Sequence, residues 1–170
     1  MEITTDVYLR GTAWNKAITN LSPIFKTRTH YMLYILSLSI GIMYDKRIAK
    51  PEENGEEVKS VPRTILLNHG FGKLDFMFQA AILSTRTEEL SEEKRLELAF
   101  GENKEFKKMD FLTEFANFGV TKLVENIGDS TLESMEKIKN FLVCAVEGEL
   151  FDIDEIPDEI PDEIILSENI

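Results

Sequence analysis

The sequence predicts a mainly α protein: a compact helical domain around one nearly all-apolar central helix, with a small N-terminal β element and an acidic, extended C-terminal tail. Three observations carry this reading. An uncharged run from Tyr31 to Tyr44 is apolar almost all round, as expected of a helix at the centre of a helical domain or in a dimer interface. From Lys73 onward, apolar residues recur at spacings of three and four, the period of a one-sided helix. From Glu147 to Ile170 the chain carries ten carboxylates and no Lys or Arg. At 170 residues the chain fits one domain, assigned to 1–146, with 147–170 as the tail.

The elements follow from caps and breakers. Residues 1–10 hold a short extended piece and 13–20 a turn or two of helix, closed by Pro23. Thr27 or Thr29 offers a side-chain oxygen to cap the apolar helix, and Lys46 and Arg47 suit its negative end. Pro51 to Glu57 is a turn in which Asn54-Gly55 supplies positive φ, placing a hairpin between 47–50 and 58–61. Pro62 ends that strand or starts a helix. Leu74, Met77, Phe78, Ala81 and Ile82 share one helix face. Ser91 caps a short helix carrying Leu96, Leu98 and Phe100. Phe106, Met109, Phe111, Leu112, Phe115, Phe118, Val120 and Leu123 mark a longer helix that covers the core, kinked at Gly119. Ser130 and Glu133 form a capping box for a final helix presenting Leu132, Met135, Ile138, Leu142 and Ala145, ended by Gly148.

Within the central helix, Ser37 and Gly41 lie four apart and form a small-residue notch that admits a second helix, from this chain or from a homodimer partner. Gly inside a helix costs about 1 kcal/mol relative to Ala, so close packing is a reason for it. The 14 residues from Tyr31 to Tyr44 reach roughly 21 Å as a helix, short of the roughly 30 Å of a bilayer core, and no membrane partner is expected.

Charge is divided along the chain. The net charge is −12, yet Val7 to Lys50 holds seven basic residues, Arg10, Lys16, Lys26, Arg28, Lys46, Arg47 and Lys50, against the single acid Asp45. Charge reports on partners rather than on fold. A basic third and an acidic tail point to a binding protein, with Lys26, Arg28, Lys46 and Arg47 as candidates for DNA phosphate contact. The tail repeats a tetrapeptide: Asp154-Glu155-Ile156-Pro157, Asp158-Glu159-Ile160-Pro161, then Asp162-Glu163-Ile164. Proline every fourth residue forbids a continuous helix. The regular isoleucines read as a linear docking motif, their side chains filling a partner's pockets while the acids meet its basic rim. The tail also suits competition with phosphate for the basic third.

No catalytic pattern is complete. In Asn68-His69-Gly70-Phe71-Gly72-Lys73-Leu74-Asp75, a phosphate loop would need Ser or Thr at Leu74, and a dinucleotide fingerprint would need Gly at Asp75. Five residues, not four, separate His69 from Asp75, against a His-x4-Asp acyltransferase motif. The segment reads as a turn at a helix start, with Asp75 favoured in the first turn. His30 has no sequence-near ligand or base. The lone Cys144 reads as a small buried hydrophobe and forms no disulfide within the chain. No EF-hand spacing occurs. No cofactor or metal is expected. The N-terminus lacks the basic and apolar regions of a secretory signal, so the expected location is cytoplasmic.

Ile24-Phe25-Lys26-Thr27-Arg28, the helix through Ser39-Ile40-Gly41 and the pair Lys46-Arg47 resemble the opening of small helical proteins associated with DNA phosphorothioation (Dnd) systems. Phe111-Leu112-Thr113-Glu114-Phe115-Ala116-Asn117-Phe118-Gly119 is similar to their Glu-x-Tyr-Ala-Asn-x-Gly segment. The resemblance spans about residues 24–142; Phe115 stands for the tyrosine, the helix is richer in Leu and Ile than in Ala, and the acidic repeat has no counterpart. It implies a non-catalytic accessory role in a restriction or phage-defence system linked to DNA modification, with a larger protein of the same system, and duplex DNA, as partners. It implies no catalytic residue. The acidic tail supports an alternative: an inhibitor or antitoxin-like protein that mimics nucleic acid and occupies a basic partner's site.

Overall fold

In this computed structural model the described residues are 3–70, 72–85, 90–101 and 105–147. The tail candidates Asp154, Glu155, Ile156, Asp158, Glu159, Ile160, Asp162, Glu163 and Ile164 lie outside them, as do Gly148 and the His69 side chain. The chain is mainly helical, with one small two-stranded sheet near its N-terminus. Two compact units divide it, Met1–Ile138 and Lys139–Ile170.

Strand β1 (Val7–Leu9) leads into α1 (Thr12–Phe25), a 3-10 turn (Lys26–Arg28) and α2 (Thr29–Met43). Strand β2 (Lys59–Val61) is followed by α3 (Arg63–Gly70), α4 (Lys73–Ser84), α5 (Glu92–Phe100), α6 (Lys108–Glu125) and α7 (Thr131–Glu147). The core lies between α2 and α6, with α1 against both. Leu33, Tyr34, Leu38 and Ile40 of α2 are at most 1% exposed, each such burial stabilising by about 2 kcal/mol. Phe111 and Phe115 of α6 meet edge to face at 5.1 Å. Phe78 of α4 reaches Phe111 at 5.8 Å, which ties α4 to α6.

Several elements depart from the sequence reading, each for a local reason. No hairpin joins 47–50 to 58–61: β2 instead pairs antiparallel with β1 across the two intervening helices, Val7 opposite Val61 and Leu9 opposite Lys59. Residues 47–50 are drawn to α6, where Ile48 N–H donates to Glu114 O (2.9 Å) and Ile48 O accepts from Asn117 Nδ2 (3.0 Å). Pro23 lies inside α1. It has no N–H for the carbonyl of Thr19, four residues back, and Ser22 Oγ donates to that oxygen instead (3.3 Å). Neither threonine caps α2: Thr29 Oγ1 donates to Lys26 O (2.6 Å).

Pro62 fills both of the roles open to it: β2 ends at Val61, and the Pro62 carbonyl accepts from Ile65 N–H (2.9 Å) and Leu66 N–H (3.1 Å) to begin helix α3. The start of α3 is also capped from 57 residues away, Asp6 Oδ1 accepting from Arg63 N–H (2.8 Å), a contact that no local pattern signals. Asn68, His69 and Gly70 end α3, while Gly72 precedes α4 and Asp75 lies in its first turn, as the sequence predicts. Gly119 does not interrupt α6. In α7, Ser130 Oγ accepts from Glu133 N–H (3.1 Å) while the Glu133 carboxylate reaches back to Asp129 N–H (2.8 Å). Ser134 and Ile138 are buried, whereas Leu132 and Met135, expected inward, are exposed.

The notch is filled within the chain. A Cβ on Gly41 would lie 2.0 Å from Phe115 O, and one on Gly119 would lie 1.8 Å from Ser37 O. Ser37-x3-Gly41 and Phe115-x3-Gly119 thus form a backbone-to-backbone helix crossing. No helix among the described residues is long and apolar enough to cross a membrane.

Candidate functional site

The four basic candidates separate into two pairs. Helix α2 has 15 residues and is about 22 Å long; Lys26 and Arg28 precede its start, Lys46 and Arg47 follow its end.

At the far end, Arg47 is committed to α6. Its Nη1 lies 3.4 Å from Glu114 Oε2, and its guanidinium sits 5.5 Å from the centroid of Phe111 and 5.7 Å from that of Phe115. A guanidinium over aromatic faces and beside a carboxylate is a strut between loop and helix. Lys46 is exposed but leans over Phe118, 5.9 Å from its centroid. Asn117 joins the same corner to α1, accepting at Oδ1 from Trp14 Nε1–H (2.9 Å).

The near end is different in kind. No Asp or Glu occurs between Asp6 and Asp45, so α1, the turn and α2 form an acid-free unit. In α1, Trp14, Ala17 and Leu21 face inward at 0% exposure; Lys16, Thr19, Asn20 and Pro23, at spacings of three and four, are exposed. The strip continues into Lys26, Thr27 and Arg28, all exposed. Lys16 to Lys26 spans about 15 Å at the helical rise. Among the described residues Lys16, Lys26 and Arg28 make no ion pair.

Lys26 has φ 52° and ψ −123°, a left-handed conformation that favours glycine and costs other residues of order 1–3 kcal/mol. The turn that imposes it brings Lys26 and Arg28 to one corner, locked beneath by the Thr29 hydroxyl on Lys26 O. Arg28 also lies near Tyr31, whose pKa is raised by burial, an effect that the guanidinium partly offsets. His30 is structural here: Nδ1 is 2.8 Å from Ser60 O, so the ring N–H fastens the start of α2 to β2.

The strip can bind anions by charge and by the neutral Thr and Asn groups between its ends. Sequence reasoning found Lys26 and Arg28 but not the contribution of Lys16, which needs the extent of α1, nor the positive φ, which a lysine does not signal. Among the described residues no group of three or more His, Cys, Asp or Glu side chains is placed to hold a metal. Cys144 is half-buried. No family model, curated protein or solved structure matches this chain.

Proposed function

We propose that this chain is a non-catalytic, cytoplasmic accessory protein of a bacterial restriction or phage-defence system linked to DNA modification, which contacts DNA phosphates at the α1–α2 corner and docks a larger protein of that system through its acidic repeat. The observation that carries the phosphate contact is the acid-free strip Lys16, Lys26 and Arg28, exposed and without ion pairs among the described residues, on a protein of net charge −12. Such contacts position a protein on a duplex without reading its sequence. The choice of system rests on the two sequence segments alone.

The test is fluorescence anisotropy with duplex DNA at low and moderate salt, using the full chain, a version ending at Val146, and Lys26→Glu/Arg28→Glu in each. Binding that weakens with salt, falls on charge reversal and strengthens when the tail is removed supports the reading. Binding indifferent to the reversal refutes the site. If no form binds DNA while the full chain binds a basic protein through the repeat, the nucleic-acid-mimic reading takes its place.

A further inference from the structure

Helices α4 and α5 form an antiparallel hairpin whose alignment is set by two hydrogen bonds, Gln79 Nε2 to Ala99 O (3.4 Å) and Arg95 Nη1 to Leu83 O (2.7 Å). Its inner face is complete: Leu74, Phe78, Ala81 and Ile82 of α4 and Leu98 and Ala99 of α5 are buried. Its outer face is unusual. Phe76 is 69% exposed, Phe100 65% and Leu96 45%. In α5, Glu93, Leu96, Glu97 and Phe100 fall at i, i+3, i+4 and i+7, one helical stripe. Glu92, Glu93 and Glu97 are exposed, and the exposed cation Lys94 is paired to Glu97 at 2.7 Å. Helix α5 thus shows solvent two large apolar groups one turn apart, Leu96 and Phe100, on a stripe shared with Glu93 and Glu97. Contiguous exposed apolar groups with a polar rim mark interaction surfaces.

We propose that this face of α5 docks a basic amphipathic helix of a partner protein, its apolar side seated on Leu96 and Phe100 and its lysines or arginines meeting Glu92, Glu93 and Glu97. Charge selects this occupant. A second copy in a two-fold contact would set the same patch against itself, carboxylate facing carboxylate. An anionic lipid surface would be repelled likewise. This surface is separate from the α1–α2 corner, and the inference does not depend on phosphate binding there.

The test uses the full chain and a synthetic Leu/Lys peptide with leucines at i, i+3, i+4 and i+7, against a peptide of the same composition with scrambled leucines. The acidic tail attracts both peptides alike, so the variants carry the discrimination. Leu96→Ser/Phe100→Ser keeps every charge and alters only exposed positions; it should weaken the patterned peptide about tenfold, as loss of apolar anchors does, and leave the scrambled one unchanged. Glu93→Lys/Glu97→Lys should weaken the patterned peptide and strengthen a Leu/Glu counterpart. Equal affinity of wild type and the serine variant for the patterned peptide overturns the proposal. So does a fall in molar mass by light scattering in the serine variant, which would assign the face to a second copy, or a loss of binding to anionic vesicles, which would assign it to lipid.

Discussion

Lys26 occupies a backbone conformation that L-residues avoid, φ 52° and ψ −123°, and its side chain meets no partner among the described residues. Glycine would adopt this conformation without strain. Replacing Lys26 by Gly removes a cost of order 1–3 kcal/mol and adds roughly 0.5–1 kcal/mol of backbone entropy loss. Lys26→Gly should therefore raise unfolding stability by about 1 kcal/mol in urea titration while weakening duplex binding, a separation expected of a position retained for contact rather than for stability. A second residue-scale test concerns Glu56, whose carboxylate accepts from Thr12 Oγ1 (2.6 Å) and Asn54 N–H (2.7 Å). The Thr12 hydroxyl first, then the backbone amides, hold its pKa below the ordinary 4.5. A depressed folded pKa favours the native state above the unfolded value, and the advantage is lost as pH falls through the folded one. Melting temperatures taken from neutral pH into the acid range should fall below about pH 4.5, and Glu56→Gln should flatten that decline.

At the scale of the element, the α2–α6 crossing decides the fold. Ser37, Gly41, Phe115 and Gly119 let two backbones meet where a single methyl group has no room. Gly119→Ala should cost about 3 kcal/mol or more, at the upper end of overpacking, as the loss of midpoint in urea unfolding. Ser37 Oγ is buried there with no hydrogen-bond partner among the described residues; because an unpaired buried polar group costs about 1–3 kcal/mol, Ser37→Ala should stabilise by about 1 kcal/mol in the same assay. The small-residue stripe of α2 was legible in the sequence because spacing of four places residues on one face. Its partner was not, since Gly119 looked like a kink until the facing helix was known. The end of α2 with the loop after it and the segment 111–119 of α6 meet here: Gly41 against Phe115, Arg47 against Glu114, Lys46 over Phe118. In this chain those residues act as packing groups. The pairing of β1 with β2 and the capping of α3 by Asp6 were hidden for one reason, that both depend on partners more than 40 residues away.

Across the whole molecule, charge and apolar exposure are partitioned by element. The acid-free unit from β1 through α2 carries the basic strip, α5 carries exposed Leu96 and Phe100 on a stripe with Glu93 and Glu97, and ten further carboxylates follow from Glu147. Under the proposed function, that partition would give separate partners separate surfaces. The sequence showed the two charge extremes, because charge is local to the residue. It could not show which cations stay available, because Arg47 is engaged by a helix that begins 61 residues later.

If phosphate meets the α1–α2 corner and not the far end of α2, a residue-resolved amide NMR titration of the full chain with a short DNA duplex at low salt should show it. Amides from Lys16 to Arg28 should shift progressively and return on added salt, with those of Lys46 to Lys50 unmoved. Shifts centred on Lys46 to Lys50, or none along Lys16 to Arg28, would contradict it.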